Sequence, residues 1–396
     1  MTPAQKTRNY DLDVLYIVVL GGVIVSHLMI PFTPFGQMPP YPIRNPTVYQ
    51  WIHAAALITG IGAIPVFFLL SGWTSMAALR RYSWDHYLWE RAKRLLVPLV
   101  LGMIFITPII KYVELRTGYV FTFNGPRFDG SRNISYLEFL PKAATIKKSS
   151  WQHLWFLIYL FSISLVTCPI LVWLGKADRY RLPEAKTLSR HLAYAYLPMV
   201  PAALLLVAMG GFWPFYPTLV TDGAHLSFFA LWFVMGAVLA LNPPLERAVR
   251  REWWRLGLLG VATFFIHWIW PEEIWGYIFI AVSGWGLFGG MLGLIERLKP
   301  KGGPLLVYLR DATLPIYIIH NIFVILVGYQ ILALDWAVLP KFLTIGMVAM
   351  GSTFLVYHFW VRPVPAMRFA FGLRPMKRTE AAKPSAAPQA ATGPAE

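Results

Sequence analysis

Residues 12–32 read LDVLYIVVLGGVIVSHLMIPF, an apolar stretch that carries only one carboxylate, Asp13, and one imidazole, His27. About 20 consecutive apolar residues form a helix long enough to cross the hydrocarbon core of a bilayer. The run is longer than the apolar part of a secretory signal, and no small-residue A-x-A site follows it. We therefore expect a membrane helix that is retained rather than cleaved.

Nine further runs of the same kind follow. They cover 54–79, 95–113, 152–174, 191–210, 224–242, 254–270, 274–295, 313–334 and 339–361. Of the 396 residues, 57% are hydrophobic and only 14% are charged, where about 25% charged is usual. So few charges could not cover the surface of a soluble protein of this size. The sequence predicts an all-α polytopic membrane protein, a bundle of about ten transmembrane helices, and excludes a soluble enzyme, a secreted disulfide scaffold and a disordered chain.

The basic residues orient this bundle. Of the 35 Lys and Arg residues, 26 fall in segments that would share one side of the membrane. Because Lys and Arg accumulate in cytoplasmic loops, both termini are expected in the cytoplasm. The net charge of +16 then reflects topology and contact with membrane lipids rather than nucleic-acid binding. Residues 1–362 are expected to form one membrane-embedded domain, and 363–396 a cytoplasmic tail that is disordered toward its Ala- and Pro-rich end.

The cysteine count and the missing motifs narrow the chemistry. A single cysteine, Cys168, excludes an internal disulfide and a cysteine-based metal cluster, and is expected to be a core thiol. The sequence has no G-x-x-x-x-G-K-[ST] and no H-E-x-x-H motif. We expect no metal site and no permanently bound cofactor.

The first span holds three titratable groups at or near membrane depth: Asp13, Tyr16 and His27. Such groups are costly in a bilayer and mark candidate functional sites. Eleven residues advance a helix about 20° beyond three whole turns, so Tyr16 and His27 share a face, about 16 Å apart along the axis. An imidazole facing the bundle interior could act as a general base, or it could bond a neighbouring helix. The spacing alone does not choose between these roles.

A basic cluster follows the second span. Arg80 and Arg81 precede Arg91 and Arg94, and the last two lie three residues apart on one helix face. Two guanidinium groups on one face suit a phosphate or pyrophosphate group. A topology-setting cluster in contact with lipid headgroups would show the same pattern, and the residues alone favour that interpretation. For His153 and His320, too, the residues alone favour a structural role.

Five stretches, in order over residues 8–361, resemble the acyltransferase-3 family of ten-span bacterial membrane acyltransferases, and within it the glucan biosynthesis protein C-like branch. They are Tyr10–Leu15 with His27, Phe67–Gly72, Arg91–Pro98, His153–Leu157 and Leu314–His320. The resemblance implies that an acyl group moves from cytoplasmic acyl-CoA, the donor substrate, to an acceptor hydroxyl on the outer side. In the branch, the implied reaction is succinylation of periplasmic glucans.

By the same resemblance, His27 corresponds to the family's essential first-span histidine, and Arg91 and Arg94 to its R-x-x-R pair. The family usually carries Arg eleven positions before the histidine, where this chain has Tyr16. Another cation would then have to serve, and Arg8 and Arg80 are the candidates.

The expected site therefore has three parts. The catalytic group is His27 with Asp13 and Tyr16; the donor-binding group is Arg91, Arg94, Arg80 and Arg8; the acceptor-side group is Ser71, His153, Trp155, Tyr317 and His320. Direct transfer and an acyl-His27 intermediate are both compatible with this set.

The sequence is thus interpreted as a multi-pass O-acyltransferase of the bacterial inner membrane. It would transfer an acetyl- or succinyl-class group to an extracytoplasmic glycan or a lipid-linked acceptor, and a homodimer is a further possibility. The alternative is a transporter or flippase for a glycan or lipid-linked sugar, in which intramembrane His and Asp relay protons. A non-catalytic scaffold is favoured only if Tyr16 has removed the donor site.

Overall fold

The computed structural model of the chain describes residues 10–34, 41–118, 133–143, 151–176, 181–209, 218–270 and 274–375. Arg8 and the expected disordered end of the tail lie outside these residues. The described residues form helices and connecting segments without a strand. The α-helices are α1 (Tyr10–Met29), α2 (Gln50–Leu79), α3 (Trp84–Phe105), α4 (Thr107–Thr117), α5 (Tyr136–Ala143), α6 (Trp155–Lys176), α7 (Leu188–Tyr196), α8 (Met199–Ala208), α9 (Gly223–Leu241), α10 (Pro243–Arg251), α11 (Trp253–Ile269), α12 (Ile274–Leu298), α13 (Pro304–Ile331), α14 (Val338–Val356) and α15 (Pro365–Ala370).

The predicted class, an all-helical polytopic membrane protein, is confirmed. Eight helical segments of the described chain are long and apolar enough to span a membrane, and α7 with α8, bent by 41°, would make a ninth. The remaining expected run, 254–270, is α11, which has 17 residues. Each of the ten apolar runs therefore coincides with helix over most of its described residues, while the side of the membrane on which the termini lie stays a prediction.

Prolines divide two of the expected spans. The run 95–113 is part of a longer segment in which α3 ends at Phe105 and α4 begins at Thr107, with Pro108 in its first turn. The run 191–210 divides into α7 and α8 at Leu197 and Pro198. Proline lacks an N–H and clashes with the preceding turn, so each division falls where the helical hydrogen bonds cannot continue.

Glycines bring the central helices into backbone contact. A Cβ placed on Gly72 of α2 would lie 1.8 Å from the carbonyl oxygen of Phe233, and one on Gly236 of α9 would lie 1.8 Å from that of Leu69. The contact is reciprocal, so only hydrogen fits on either side of this crossing. Small residues allow such close packing between membrane helices. Helix α2 is thereby fixed at the centre of the bundle, with α1 and α9 against it.

Buried cations tie the helix ends together. At one end, Arg250 of α10 forms ion pairs with Asp11 (3.0 Å) and Glu246 (2.9 Å). At the other end, the ammonium of Lys341 donates to Asn45 Oδ1 and to the carbonyl of Leu332, both at 3.1 Å. These contacts hold α1, α10, α13 and α14 in register around the interior.

Candidate active site

A cavity of about 690 Å³ runs through the interior of the bundle between α1, α2, α3, α6 and α13. It is lined along α2 from Ala56 to Ala78, which corresponds to about 33 Å of helix. Tyr41 and Gln152 lie at one end, and Tyr82 and Arg91 at the other. The cavity therefore connects the two ends of the bundle past the middle of α1.

His27 lies on the wall of this cavity, half-buried on α1. Tyr16, Val23 and Ile30 line it too, because separations of seven and eleven residues return to one face of a helix. The Nδ1 atom of His27 donates to the carbonyl of Val23 at 2.8 Å. A carbonyl only accepts, so Nδ1 holds the proton and Nε2 of the neutral ring keeps its lone pair. The ring is therefore arranged as a base.

Two further imidazole rings, those of His320 and His153, lie near His27. The His320 ring centroid lies 5.1 Å from that of His27, and the His153 centroid 5.8 Å from that of His320. His320 Nδ1 donates to the carbonyl of Tyr317 at 2.8 Å, and His153 Nε2 donates to that of Ile318 at 3.0 Å. The other nitrogen of each ring is buried and has no hydrogen-bond partner among the described residues. Both rings therefore present unmatched acceptor nitrogens beside His27.

The segment before α6 is bonded directly to α13. The Tyr317 hydroxyl donates to the carbonyl of His153, and the His153 ring bonds back to α13. Gln152 takes a positive φ of 45° at this junction. These reciprocal bonds fix the histidine cluster between two elements that are 165 residues apart in sequence. In the described chain, no group of three His, Cys, Asp or Glu side chains is arranged to hold a metal ion.

Arginines line the opposite end of the cavity. Arg91 donates from Nη2 to the carbonyl of Ser71 at 3.1 Å and to the Ser75 hydroxyl. Arg94 donates from Nε to the carbonyl of Gly372 at 3.2 Å. The predicted pair thus lies in one cavity with His27, and each guanidinium is bonded mainly to neutral oxygen atoms.

Tyr16 supports a third arginine. The guanidinium carbon of Arg310, on α13, lies 3.9 Å from the centre of the Tyr16 ring, which is cation–π geometry. Arg310 also pairs with Asp13 at 3.3 Å and donates to Thr313 at 3.0 Å. Arg310 lines the cavity as well. A cation on another helix, α13, therefore lies beside Tyr16, where sequence reasoning expected Arg8 or Arg80 to serve.

The remaining predicted residues differ in where they lie relative to the cavity. Ser71, Trp155 and Tyr317 line the cavity with His153, whereas His320 is fully buried just behind it. Asp13 reaches the site only through Arg310. Arg80 is exposed at the end of α2 and does not line the cavity, and Arg8 lies outside the described residues. The catalytic and binding roles themselves stay predictions.

Sequence reasoning missed Arg310 and Arg374, both of which line the cavity. Arg310 could have been found, because it shares a helix face with Tyr317, seven residues later. Arg374 lies in the segment interpreted as a tail, and no local pattern distinguishes it.

Positive charge dominates the arginine end. Among the described residues, Arg91, Arg94, Arg310 and Arg374 line the cavity against one carboxylate, Glu90, which pairs with Lys93. A cleft lined by charges of one sign attracts counter-ions. The arrangement can hold a polyanion at one end while a neutral imidazole base faces the same cavity farther along.

Comparison with known proteins identifies the family of the chain. The acyltransferase-3 family model, described as an acyltransferase domain, matches residues 9–358. Similar curated proteins include the glucans biosynthesis protein C of Salmonella paratyphi B, Salmonella agona and Salmonella enteritidis; each is 22% identical over 404 residues, which cover 96% of this chain and 98% of the relative. No solved structure matches the chain. The chain belongs to the acyltransferase-3 family and is a multi-pass membrane acyltransferase.

Proposed function

We propose that the protein moves an acetyl- or succinyl-class acyl group from cytoplasmic acyl-CoA to a hydroxyl of an extracytoplasmic glycan. The observation that carries the proposal is one cavity that joins four arginines to the free Nε2 of His27. The positive-inside bias of the sequence supports an arginine end that faces the cytoplasm. In a bacterium, the membrane is then the inner membrane.

The arginine end suits the phosphates of coenzyme A. Guanidinium groups bind phosphate oxygens through paired, charge-assisted hydrogen bonds. Tyr16 and Arg310 mark this end of α1, and His27 lies about 16 Å farther along the helix. The pantetheine arm is an extended chain of similar length, so a donor anchored by its phosphates brings its thioester to His27.

His27 then activates the acceptor. An alcohol is a weak nucleophile until a base removes its proton. Nε2 of His27 takes that proton while the hydroxyl oxygen attacks the thioester carbonyl carbon. As the tetrahedral intermediate collapses, the C–S bond breaks, the thiolate leaves, and the imidazolium returns the proton to sulfur. An ester and free coenzyme A result, and the protein is regenerated.

His320 and His153 assist through their unmatched nitrogens. When His27 gains a proton, its Nε2–H becomes a donor, and neutral acceptors nearby stabilise the charge. This transient charge develops inside the bundle, where such stabilisation counts more than in water. We therefore assign these two rings to positioning and stabilisation rather than to proton abstraction.

Two observations support a glycan as the class of acceptor. The cavity extends past His27 to Tyr41 and Gln152, the end opposite the arginines. The relatives are named for glucans biosynthesis. Both support a glycan that approaches from outside, and the family match favours group transfer over the transporter interpretation.

The test uses inside-out membrane vesicles loaded with glucan and supplied with radiolabelled acetyl-CoA or succinyl-CoA. The wild-type protein should place label on the enclosed glucan as a base-labile ester. His27→Ala should lower the rate at least about 100-fold, within the range for losing a general base. His358→Ala, which removes an exposed histidine outside the cavity, should leave the rate unchanged.

Full activity in a stably inserted His27→Ala variant would contradict the role of His27. Unlabelled glucan that crosses the membrane with the wild-type protein would favour a transporter. Label retained on His27 in the absence of acceptor would replace direct transfer by an acyl-His27 route.

A further inference from the structure

The chain beyond the last span packs on the arginine end of the cavity. After a π-helical turn at Tyr357–Val361, α15 lies against α3, and Phe371 and Leu373 pack against the core. This segment, residues 365–375, is called the C-terminal segment below. The C-terminal segment therefore packs against the helix that carries Arg91 and Arg94.

Gly372 makes the closest contact. Its φ of +68° is left-handed, and a Cβ there would lie 2.5 Å from the carbonyl oxygen of Arg94. Its own carbonyl accepts the hydrogen bond from Arg94 Nε. Any other residue would suffer both strain and a clash with backbone. The glycine thus lets the segment lie directly on α3.

Arg368 then fixes the residue that enters the cavity. It donates from Nη2 and Nε to the carbonyl of Arg374, at 2.7 and 3.0 Å, and from Nη1 to the carbonyl of Arg362 at 3.0 Å. Held in this way, the Arg374 side chain lines the cavity near Arg94. The hydrogen bonds of Arg368 are confined to backbone oxygens, so its visible role is to position Arg374.

Four like charges now surround one space. Arg91, Arg310 and Arg374 line the same cavity as Arg94, where like charges repel one another. Such repulsion disfavours the cluster unless an anion lies between the charges. The charge arrangement, with the Arg374 carbonyl held by Arg368, therefore points to an anionic ligand at this place.

We propose that the C-terminal segment is part of the donor site, and that Arg374 binds a phosphate group of the acyl donor. The proposal rests on the proposed function, since it takes coenzyme A as the donor's carrier. Arg368 is a positioning residue that holds Arg374 in place. The same phosphate chemistry could come from an anionic lipid headgroup, so the test separates the two sources.

Binding of free coenzyme A is measured by calorimetry on the full chain in nanodiscs of zwitterionic lipid. Arg374→Gln should weaken binding about tenfold, the value of one charge-assisted hydrogen bond. Arg368→Gln should weaken it less, and Arg374→Lys should restore part of the affinity. Arg251→Gln removes an exposed arginine outside the cavity and should bind like the wild type.

The outcomes separate the two proposals. If the wild-type protein does not bind coenzyme A, the donor assignment fails. If the wild type binds and Arg374→Gln binds equally well, the role of Arg374 alone fails. If Arg374→Gln changes only the binding of added phosphatidylglycerol, the ligand is a lipid headgroup and the proposal is overturned.

Discussion

Two contacts hold a positive charge beside Tyr16, which cannot supply that charge itself. A phenol can stack under a guanidinium but cannot replace it. Arg310 lies on the Tyr16 ring and pairs with Asp13, so its head group is held where the side chain of residue 16 meets the cavity. An arginine of α13 therefore lies beside the position at which α1 has no arginine.

This arrangement predicts that an arginine at position 16 of α1 can replace Arg310 of α13. Arg310→Ala should lower kcat/KM for the acyl-CoA donor about 10- to 100-fold, because one charge-assisted phosphate contact is lost. Adding Tyr16→Arg to that variant should restore much of the activity, since the new guanidinium enters the same space from α1. Steady-state kinetics on the purified variants provide the measurement.

Arg310→Lys is the matched variant, and it should retain the charge but lose the stacking and the fork. Wild-type kinetics in Arg310→Ala would show that this arginine does not contact the donor. Equal inactivity of the single and double variants would show that the site requires the arginine on α13 itself.

At the scale of helices, the long apolar runs located the candidate spans but few of the helix ends. Helix α3 begins at Trp84, eleven residues before the apolar run expected at 95. The run starts late because the first turns of the helix are polar and carry Arg91 and Arg94. The face that carries these two arginines lies at one end of the cavity. Hydropathy therefore omits the part of the helix that carries the candidate donor site.

The candidate site shows the same limit. The shared face of Tyr16 and His27 follows from helix geometry within α1. By contrast, the contact between Tyr16 and Arg310 joins residues from the first and the penultimate long helix, and depends on which helices are neighbours. A single sequence shows which residues share a face of one helix, but it does not show which helices have faces in contact.

The crossing of α2 and α9 carries a prediction of its own. Gly72→Ala or Gly236→Ala should destabilise the protein by about 1–3 kcal/mol, because a methyl group there would overlap a carbonyl on the other helix. The apparent melting temperature in detergent should fall accordingly. Gly351→Ala on α14 meets no atom within 4 Å and is the matched control. Equal melting temperatures for all three variants would show that the helices do not cross this closely.

At the scale of the whole molecule, the cavity is polarised from one end of the bundle to the other. All four cavity-lining arginines come from segments on the basic side of the predicted topology, while Tyr41 and Gln152 lie at the opposite end of the cavity. A reaction that takes its donor from one compartment and its acceptor from the other requires this orientation. An inverted or mixed orientation would present the arginines to the compartment that lacks acyl-CoA.

This polarity can be measured with single cysteines. Cys168 is the single cysteine of the sequence, so Cys168→Ser should give a protein that maleimides do not label. In that background, Thr47→Cys should react in intact cells with a membrane-impermeant maleimide, because Thr47 is exposed at the acceptor end. Lys186→Cys, exposed in a basic loop, should react only after the membrane is permeabilised. The reverse pattern would place the arginines outside the cell, and cytoplasmic acyl-CoA could then no longer be the donor.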